Sequence, residues 1–250
     1  MASLLMDGQI WADLLKIAFV NILLSGDNAV VIALSCRALS DRQKKKAIFW
    51  GTAFAVILRI ALTSVAALLL HIAYLKLVGS LLLVWIAVKF LLPEDESYGS
   101  RQDSTEFFSA LRTIIIADLV MSLDNVVGVA AAAEGRVGLL IVGLLMSMPL
   151  VIYGSTLMLK VLARFPVFVV LGAALLGYIA GEMAMAEEMF APWLKGHPSL
   201  LTGSIPFLFA AFVVVAGKSM TNRQLRNAAS ASEKRQETEV VERLELNKLP

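Results

Sequence analysis

The sequence predicts an all-α, polytopic membrane protein of about seven transmembrane helices, arranged as a 3+3 inverted-topology repeat plus one C-terminal helix. Three observations predict it. Of the 250 residues, 58% are hydrophobic and the mean hydropathy is +0.77, above the roughly 45–50% apolar content of a soluble domain. Apolar runs of about 20 residues, the length needed to cross a bilayer, recur seven times. The chain also resembles itself across its two halves, with polar residues at matched positions. A transmembrane barrel would instead show alternating segments of about 10 residues, which the sequence lacks.

In chain order, the spans fall at roughly 11–34, 48–70, 72–92, 110–133, 137–159, 167–189 and 200–217. The first carries Asp27 near its middle and opens on MASLLMDGQI, which has no basic leader; no cleavable signal peptide is expected. The loop after it, CRALSDRQKKKA, holds Arg37, Arg42, Lys44, Lys45 and Lys46 and is expected to be cytoplasmic. Basic residues recur after the fifth span (Lys160, Arg164) and after the seventh (Lys218, Arg223, Arg226). The opposite loops, around His71, Gly135 and Lys195–His197, are poorer in them. The expected topology has the N-terminus outside and the C-terminus in the cytoplasm.

Residues 1–92 then form a first three-helix repeat, and 93–109, containing PEDESYGSRQDSTEFF, an acidic cytoplasmic linker. Residues 110–190 form the second repeat, 191–220 contain the seventh span, and 221–250 form a polar cytoplasmic tail, expected to be disordered or a short surface helix. In the sixth span Ala173, Gly177 and Gly181 recur at every fourth position, a spacing suited to close helix packing.

The internal repeat rests on two matches in the same order. NILLSGDNAVVIAL (21–34) aligns with DLVMSLDNVVGVAA (118–131), and GSLLLVWIAVK (79–89) with GAALLGYIAGE (172–182). The first pair shares Ser-x-Asp-Asn followed by small or branched apolar residues. With three spans per unit, an odd number, the second unit enters the membrane from the opposite side, as in many secondary transporters.

Ionisable residues inside spans are costly, at least ~2.5–3.5 kcal/mol each on insertion scales, so something must compensate for them. The acids Asp27, Asp118, Asp124 and Glu182 oppose the bases Arg59 and Lys89; four negative and two positive charges leave −2, the complement of one divalent cation. Asn28 and Asn125 would add amide oxygens, and Gly26 tolerates an unwound backbone. Oxygen donors suit a hard or borderline cation such as Mn²⁺, Mg²⁺ or Ca²⁺. His71, His197 and Cys36 lie at or outside span ends, which argues against Zn²⁺ or Cu⁺.

Met121, one turn before Asp124 and Asn125, would favour Mn²⁺ if it were a ligand, but methionine in a span is more often a packing residue. Asn21 fits either a ligand or an interhelical hydrogen bond. Arg59 is expected to balance an aspartate, and Asp27 and Asp124 have a plain alternative as structural salt bridges to Arg59 and Lys89. Lys89 and Glu182 hold matching repeat positions with opposite charge and are expected to pair. Asp118 and Asp124, six apart, lie about 120° round an unbroken helix and can share one ligand only if the helix breaks or the site is wide. Glu187 and Glu188 are expected to be solvated, or else to form a mildly acidic exit vestibule.

The net charge of +2 is too small to suggest a nucleic-acid partner. One cysteine excludes an intrachain disulfide framework. No nucleophile–base pair or HExxH motif points to an enzyme.

The stretches LLSGDNAVVIAL, AIFWGT and ADLVMSLDN, with GYIAGE in the sixth span, closely resemble the bacterial branch of the TerC family of integral membrane proteins. The resemblance covers nearly all of 11–217. It implies a seven-span inverted repeat related to the LysE-type exporters; several members act as manganese efflux proteins, and the name reflects tellurium-resistance operons. It marks Asp27, Asn28, Asp118, Asp124 and Asn125 as the metal-handling set. Many members have Glu where this chain has Asn21, so the first half-site is one carboxylate short.

The expected function is export of a divalent metal cation, Mn²⁺ first, from the cytoplasm through a midplane Asp/Asn site between the repeats, with proton exchange as a candidate coupling. The cation is substrate; no cofactor is expected. The expected location is the bacterial inner membrane, with the bilayer, the metal ion and a second copy of the chain as candidate partners. Two alternatives stand beside it: a LysE-like exporter of a small organic solute, which would want aromatic contacts near Ser-x-Asp-Asn, and a non-transporting sensor or scaffold acting through the tail.

Overall fold

The structure is a computed structural model that describes residues 26–65, 72, 74–92, 103–133, 137–190 and 199–246. Among these residues are seven α-helices, one short 3₁₀ helix and no strand: α1 (Gly26–Cys36), α2 (Asp41–Ser64), α3 (Leu75–Leu91), α4 (Asp103–Ala133), α5 (Val137–Arg164), α6 (Val167–Met185), the 3₁₀ helix Glu188–Phe190, and α7 (Ser199–Leu246). Four stretches, Asp41–Ser64, Ile141–Arg164, Val167–Met185 and Gly203–Arg226, are long and apolar enough to cross a membrane. Residues 11–25 of the first predicted span, Asn21 included, lie outside the described residues.

Burial has the pattern that lipid dictates. On α2 the buried residues Ala47, Ile48, Gly51, Thr52, Ala55, Val56, Arg59 and Leu62 form one helical stripe, while Phe49, Trp50, Phe54 and Ile57 are exposed. Bulky apolar side chains also cover the outside of the other helices, including Leu81, Trp85, Tyr153, Phe207 and Phe212. An aqueous surface rarely carries that much contiguous apolar area. Within the apolar stretch of α2, Thr52 and Arg59 are buried while large apolar side chains face outward, the reverse of the usual soluble pattern.

α2 starts where its sequence provides a cap. The Gln43 side-chain oxygen accepts from the Ser40 backbone N–H at 3.4 Å and from its hydroxyl at 3.1 Å, and Asp41 places negative charge in the first turn.

One core gathers Val31, Leu34, Leu83, Ile86, Phe90, Val120, Met121, Leu176, Met183 and Val213, drawn from five helices. A second, smaller one joins α1, α2 and α4 through Ile32, Ile48 and Ile114. α1 packs on α5 and α4 packs on α2; α1 meets α4, α2 meets α5, and α3 meets α6. α2 runs parallel to α4, with Gly51 beside Ile114 and Arg59 beside Asp118 and Ser122.

α3 runs antiparallel to α6, because Tyr74 meets Glu187 while Ser80 donates to the Ala180 carbonyl at 2.7 Å. α7 lies along the other side of α6. A Cβ on Gly181 would come within 2.6 Å of the Pro206 Cα, and one on Gly177 within 2.9 Å of the Ala210 Cα. The small-residue stripe of the sixth span thus brings two backbones together, as its spacing predicts.

Two boundaries differ from the sequence expectation. α4 begins at Asp103, inside the stretch read as linker. α7 continues without a break to Leu246, through the tail expected to be disordered or only a short helix. That tail is rich in Ala, Glu, Lys, Arg and Leu, all good helix formers, and a span ending beside it supplies the nucleus. It is also tied down at its start: the Thr221 hydroxyl donates to the Leu91 carbonyl at 2.9 Å, satisfying an end of α3.

Candidate functional site

The polar residues of α1, α2 and α4 converge. Asp118, on α4, is buried, with 5% of its surface exposed, and Arg59, on α2, with 4%. Arg59 Nη2 lies 2.9 Å from Asp118 Oδ1, a buried ion pair. Asn28 Nδ2 donates to the same oxygen at 3.0 Å, and the Ser122 hydroxyl donates to Asp118 Oδ2 at 3.3 Å. Arg59 Nε donates in turn to Ser122 Oγ at 3.2 Å.

Local structure explains the convergence. Asp118 and Ser122 are four apart, and therefore neighbours on one face of α4. Arg59 continues the buried stripe of α2, and Asn28 is in the first turn of α1.

Asn28 is only half satisfied. Its amide presents N–H to a carboxylate that can only accept, and this turns Oδ1 away, buried and without a hydrogen-bond partner. Asp27 is half-buried beside it, its Oδ1 accepting the Asn28 backbone N–H at 2.8 Å. Asp27 is also within electrostatic range of both Arg59 and Asp118. The described centre thus combines two carboxylates, one cation and one unused amide oxygen in an apolar bundle.

The predicted residues divide accordingly. Asp27, Asn28, Asp118 and Arg59 come together, and Arg59 balances an aspartate as expected, namely Asp118. The side chains of Asp124 and Asn125 lie outside the described residues, as does Asn21. α4 is one continuous helix from Asp103 to Ala133, so Asp118 and Asp124 hold register positions about 120° and 9 Å apart. The helix break that would let them share one ligand is not found. Met121 packs in the larger apolar core.

The expected Lys89–Glu182 pair is not made. Ser80 on α3 is level with Ala180 on α6. In this antiparallel pair Glu182 is near that level, while Lys89 lies nine residues further along α3, about 13 Å away at 1.5 Å per residue. Matching positions in a sequence repeat need not be neighbours in space. Lys89 instead places Nζ over the Trp85 ring, 5.4 Å from its centroid.

Glu187, expected to be solvated, is buried. Its Oε1 accepts the Tyr74 backbone N–H at 2.9 Å, and its Oε2 is buried without a partner. Tyr74 has φ 64°, a left-handed conformation that this contact helps to hold.

Ser122 went unnoticed as a site residue. The signal was present, since it is the serine of SLDN, matched in the repeat by Ser25. Among the described residues no three His, Cys, Asp or Glu side chains gather closely enough to hold a metal.

The profile of the family described as "Integral membrane protein TerC family" matches residues 6–225. The membrane protein YjbE of Bacillus subtilis (strain 168), described as uncharacterized, is 39% identical over 203 residues, covering 81% of this chain and 92% of the relative. YceF of the same organism, also described as an uncharacterized membrane protein, is 26% identical over 73% of this chain and 74% of its own length. The inner membrane protein YoaE of Escherichia coli (strain K12) is 26% identical over 67% of this chain but only 36% of its own length. No solved structure matches the chain. With seven-eighths of the sequence under one family profile and a relative 39% identical over 81% of that sequence, this chain belongs to the integral membrane protein TerC family.

Proposed function

We propose that this membrane protein exports a divalent metal cation, Mn²⁺ first, from the cytoplasm of a bacterium across its inner membrane. The observation that carries the reading is the buried centre of Asp118, Asn28 and Asp27, with one amide oxygen left without a partner. Buried polar groups in proteins are as a rule paired, and of the few unpaired ones among the described residues the Asn28 oxygen is the one beside two carboxylates, a place for a cation. All its oxygen donors are hard, and the described side chains that hydrogen-bond to Asp118 are Asn28, Arg59 and Ser122, a set that favours a metal ion over an organic solute.

The arrangement of helices supports an inverted repeat. Exchanging α1, α2 and α3 with α4, α5 and α6 turns the α1–α5 contact into α4–α2, and leaves α1–α4, α2–α5 and α3–α6 unchanged. Parallel α2 and α4 fit a third span crossing back between them. Alternating access would rock one unit against the other about this centre. The basic loop Arg37–Lys46 favours the cytoplasmic side for the α1–α2 connection, and proton exchange through Asp27 is the candidate coupling.

Cellular metal content tests the reading. Cells making the parent protein should hold less Mn²⁺ than cells making Asp27→Asn. Equal Mn²⁺ in both, at equal protein levels, would reject it.

A second reading has one observation in its favour: α7 continues about 20 residues beyond the Arg226 end of its apolar stretch, a rod on which a partner could dock. Removing 227–250 should leave metal export intact if the protein is a transporter, and abolish function if it is a scaffold.

A further inference from the structure

We infer that Arg59 is a built-in competitor for the transported cation, occupying its place on Asp118 between transport cycles and helping to expel it afterwards. The inference rests on the metal-export reading above and adds a residue that sets how tightly the cation is held.

The geometry of Asp118 carries it. Its Oδ1 is held by the Arg59 guanidinium at 2.9 Å and by Asn28 at 3.0 Å, and its Oδ2 by Ser122 at 3.3 Å. A metal ion sits about 2.0–2.6 Å from a carboxylate oxygen. At that distance from Oδ1 it would press directly on a positively charged N–H. The guanidinium and a metal on Oδ1 therefore exclude one another, and a cation reaches that oxygen only as Arg59 leaves.

Asn28 reports the same exclusion. While Arg59 is in place, the Asn28 amide gives its N–H to Asp118 and its Oδ1 stays buried and unused. Once a cation replaces the guanidinium, the amide can reverse and offer Oδ1 as a ligand. The group left unsatisfied in one state is the one the other state requires.

The charges give the consequence. Asp27, Asp118 and Arg59 sum to −1, and a divalent cation brings the sum to +1, so the displaced guanidinium repels the bound metal. Without Arg59 the two carboxylates would neutralise the cation fully and hold it. A transport site must bind its ion weakly enough to release it. Arg59 also keeps Asp118 neutralised in the empty carrier, whose return across the membrane then needs no other ion at that carboxylate.

The test is Mn²⁺ binding to the full-length protein in lipid nanodiscs, with free Mn²⁺ read by electron paramagnetic resonance, for the parent, Arg59→Gln and Arg59→Lys. Losing an ion-pair competitor should tighten binding about tenfold in Arg59→Gln, while Mn²⁺ transport by the same variant in vesicles slows. Lysine, a point charge without the planar fork that grips Asp118 and Ser122 together, should compete less well and tighten binding about threefold. A purely structural arginine predicts the reverse, because its loss would let the site collapse.

Binding unchanged or weaker in Arg59→Gln overturns the inference while leaving the export reading intact. Saturable binding in Arg59→Gln but not in the parent supports the inference. No saturable binding in any of the three overturns both. Should Arg59→Gln not fold, Arg59→Lys decides alone, on the same criterion.

Discussion

Replacing Asp118 by Asn should destabilise the protein far more than the loss of one hydrogen bond. The substitution keeps the shape and one acceptor oxygen, so Asn28 and Ser122 can still bond to residue 118. What it removes is the charge opposite Arg59, whose side chain and that of Asp118 are 5% and 6% exposed. Burying the guanidinium without the Asp118 charge costs about 3–5 kcal/mol, mostly as poorly compensated desolvation. Losing Ser122 instead, by Ser122→Ala, should cost about 1 kcal/mol, the usual net value of a hydrogen bond.

The assay is a double-mutant cycle by equilibrium unfolding in mixed micelles, with Asp118→Asn, Arg59→Met and the pair together. Removing both charges at once leaves no orphan, so the double variant should recover about 2–3 kcal/mol relative to the sum of the singles. A cost below about 1 kcal/mol for Asp118→Asn, with no coupling in the cycle, would mean that the pair is not dry and not the anchor of the three helices.

Two other substitutions test the packing. Gly181→Ala should destabilise by about 1–3 kcal/mol, because a Cβ there meets the Pro206 backbone at 2.6 Å and the overlap outweighs the helix-propensity gain of about 1 kcal/mol; thermal unfolding reads the sign. Thr52→Val should be neutral or stabilising by up to about 1 kcal/mol, since the Thr52 hydroxyl is buried without a partner; a loss of stability would reveal a partner for that oxygen.

Much of the fold was legible because membranes impose simple rules. Run length pointed to the helices, and the four-residue spacing of Ala173, Gly177 and Gly181 pointed to close helix packing on α6, though not to α7 as the partner that approaches Gly177 and Gly181. The matched Ser-x-Asp-Asn motifs pointed to the chain segments that supply the centre. Partner choice was harder to read. Whether Arg59 would meet Asp27, Asp124 or Asp118 depends on the tilt and offset of α2 against α4, which sequence spacing does not encode.

The Lys89–Glu182 expectation failed for a related reason: equivalence in a repeat is not proximity. Glu187 was misjudged because a glutamate near a span end is usually solvated, whereas this one is fixed by the Tyr74 backbone, a contact between residues 113 apart. The helical tail was missed because its polar composition hides good helix formers.

The most direct test of the account is radioactive Mn²⁺ uptake into everted membrane vesicles. Vesicles with the parent protein should accumulate Mn²⁺ against a gradient, and those with Asp27→Asn should not, although that variant should fold normally because an asparagine oxygen can still accept the Asn28 backbone N–H. Equal uptake by parent and variant, or none above empty vesicles, would contradict the account.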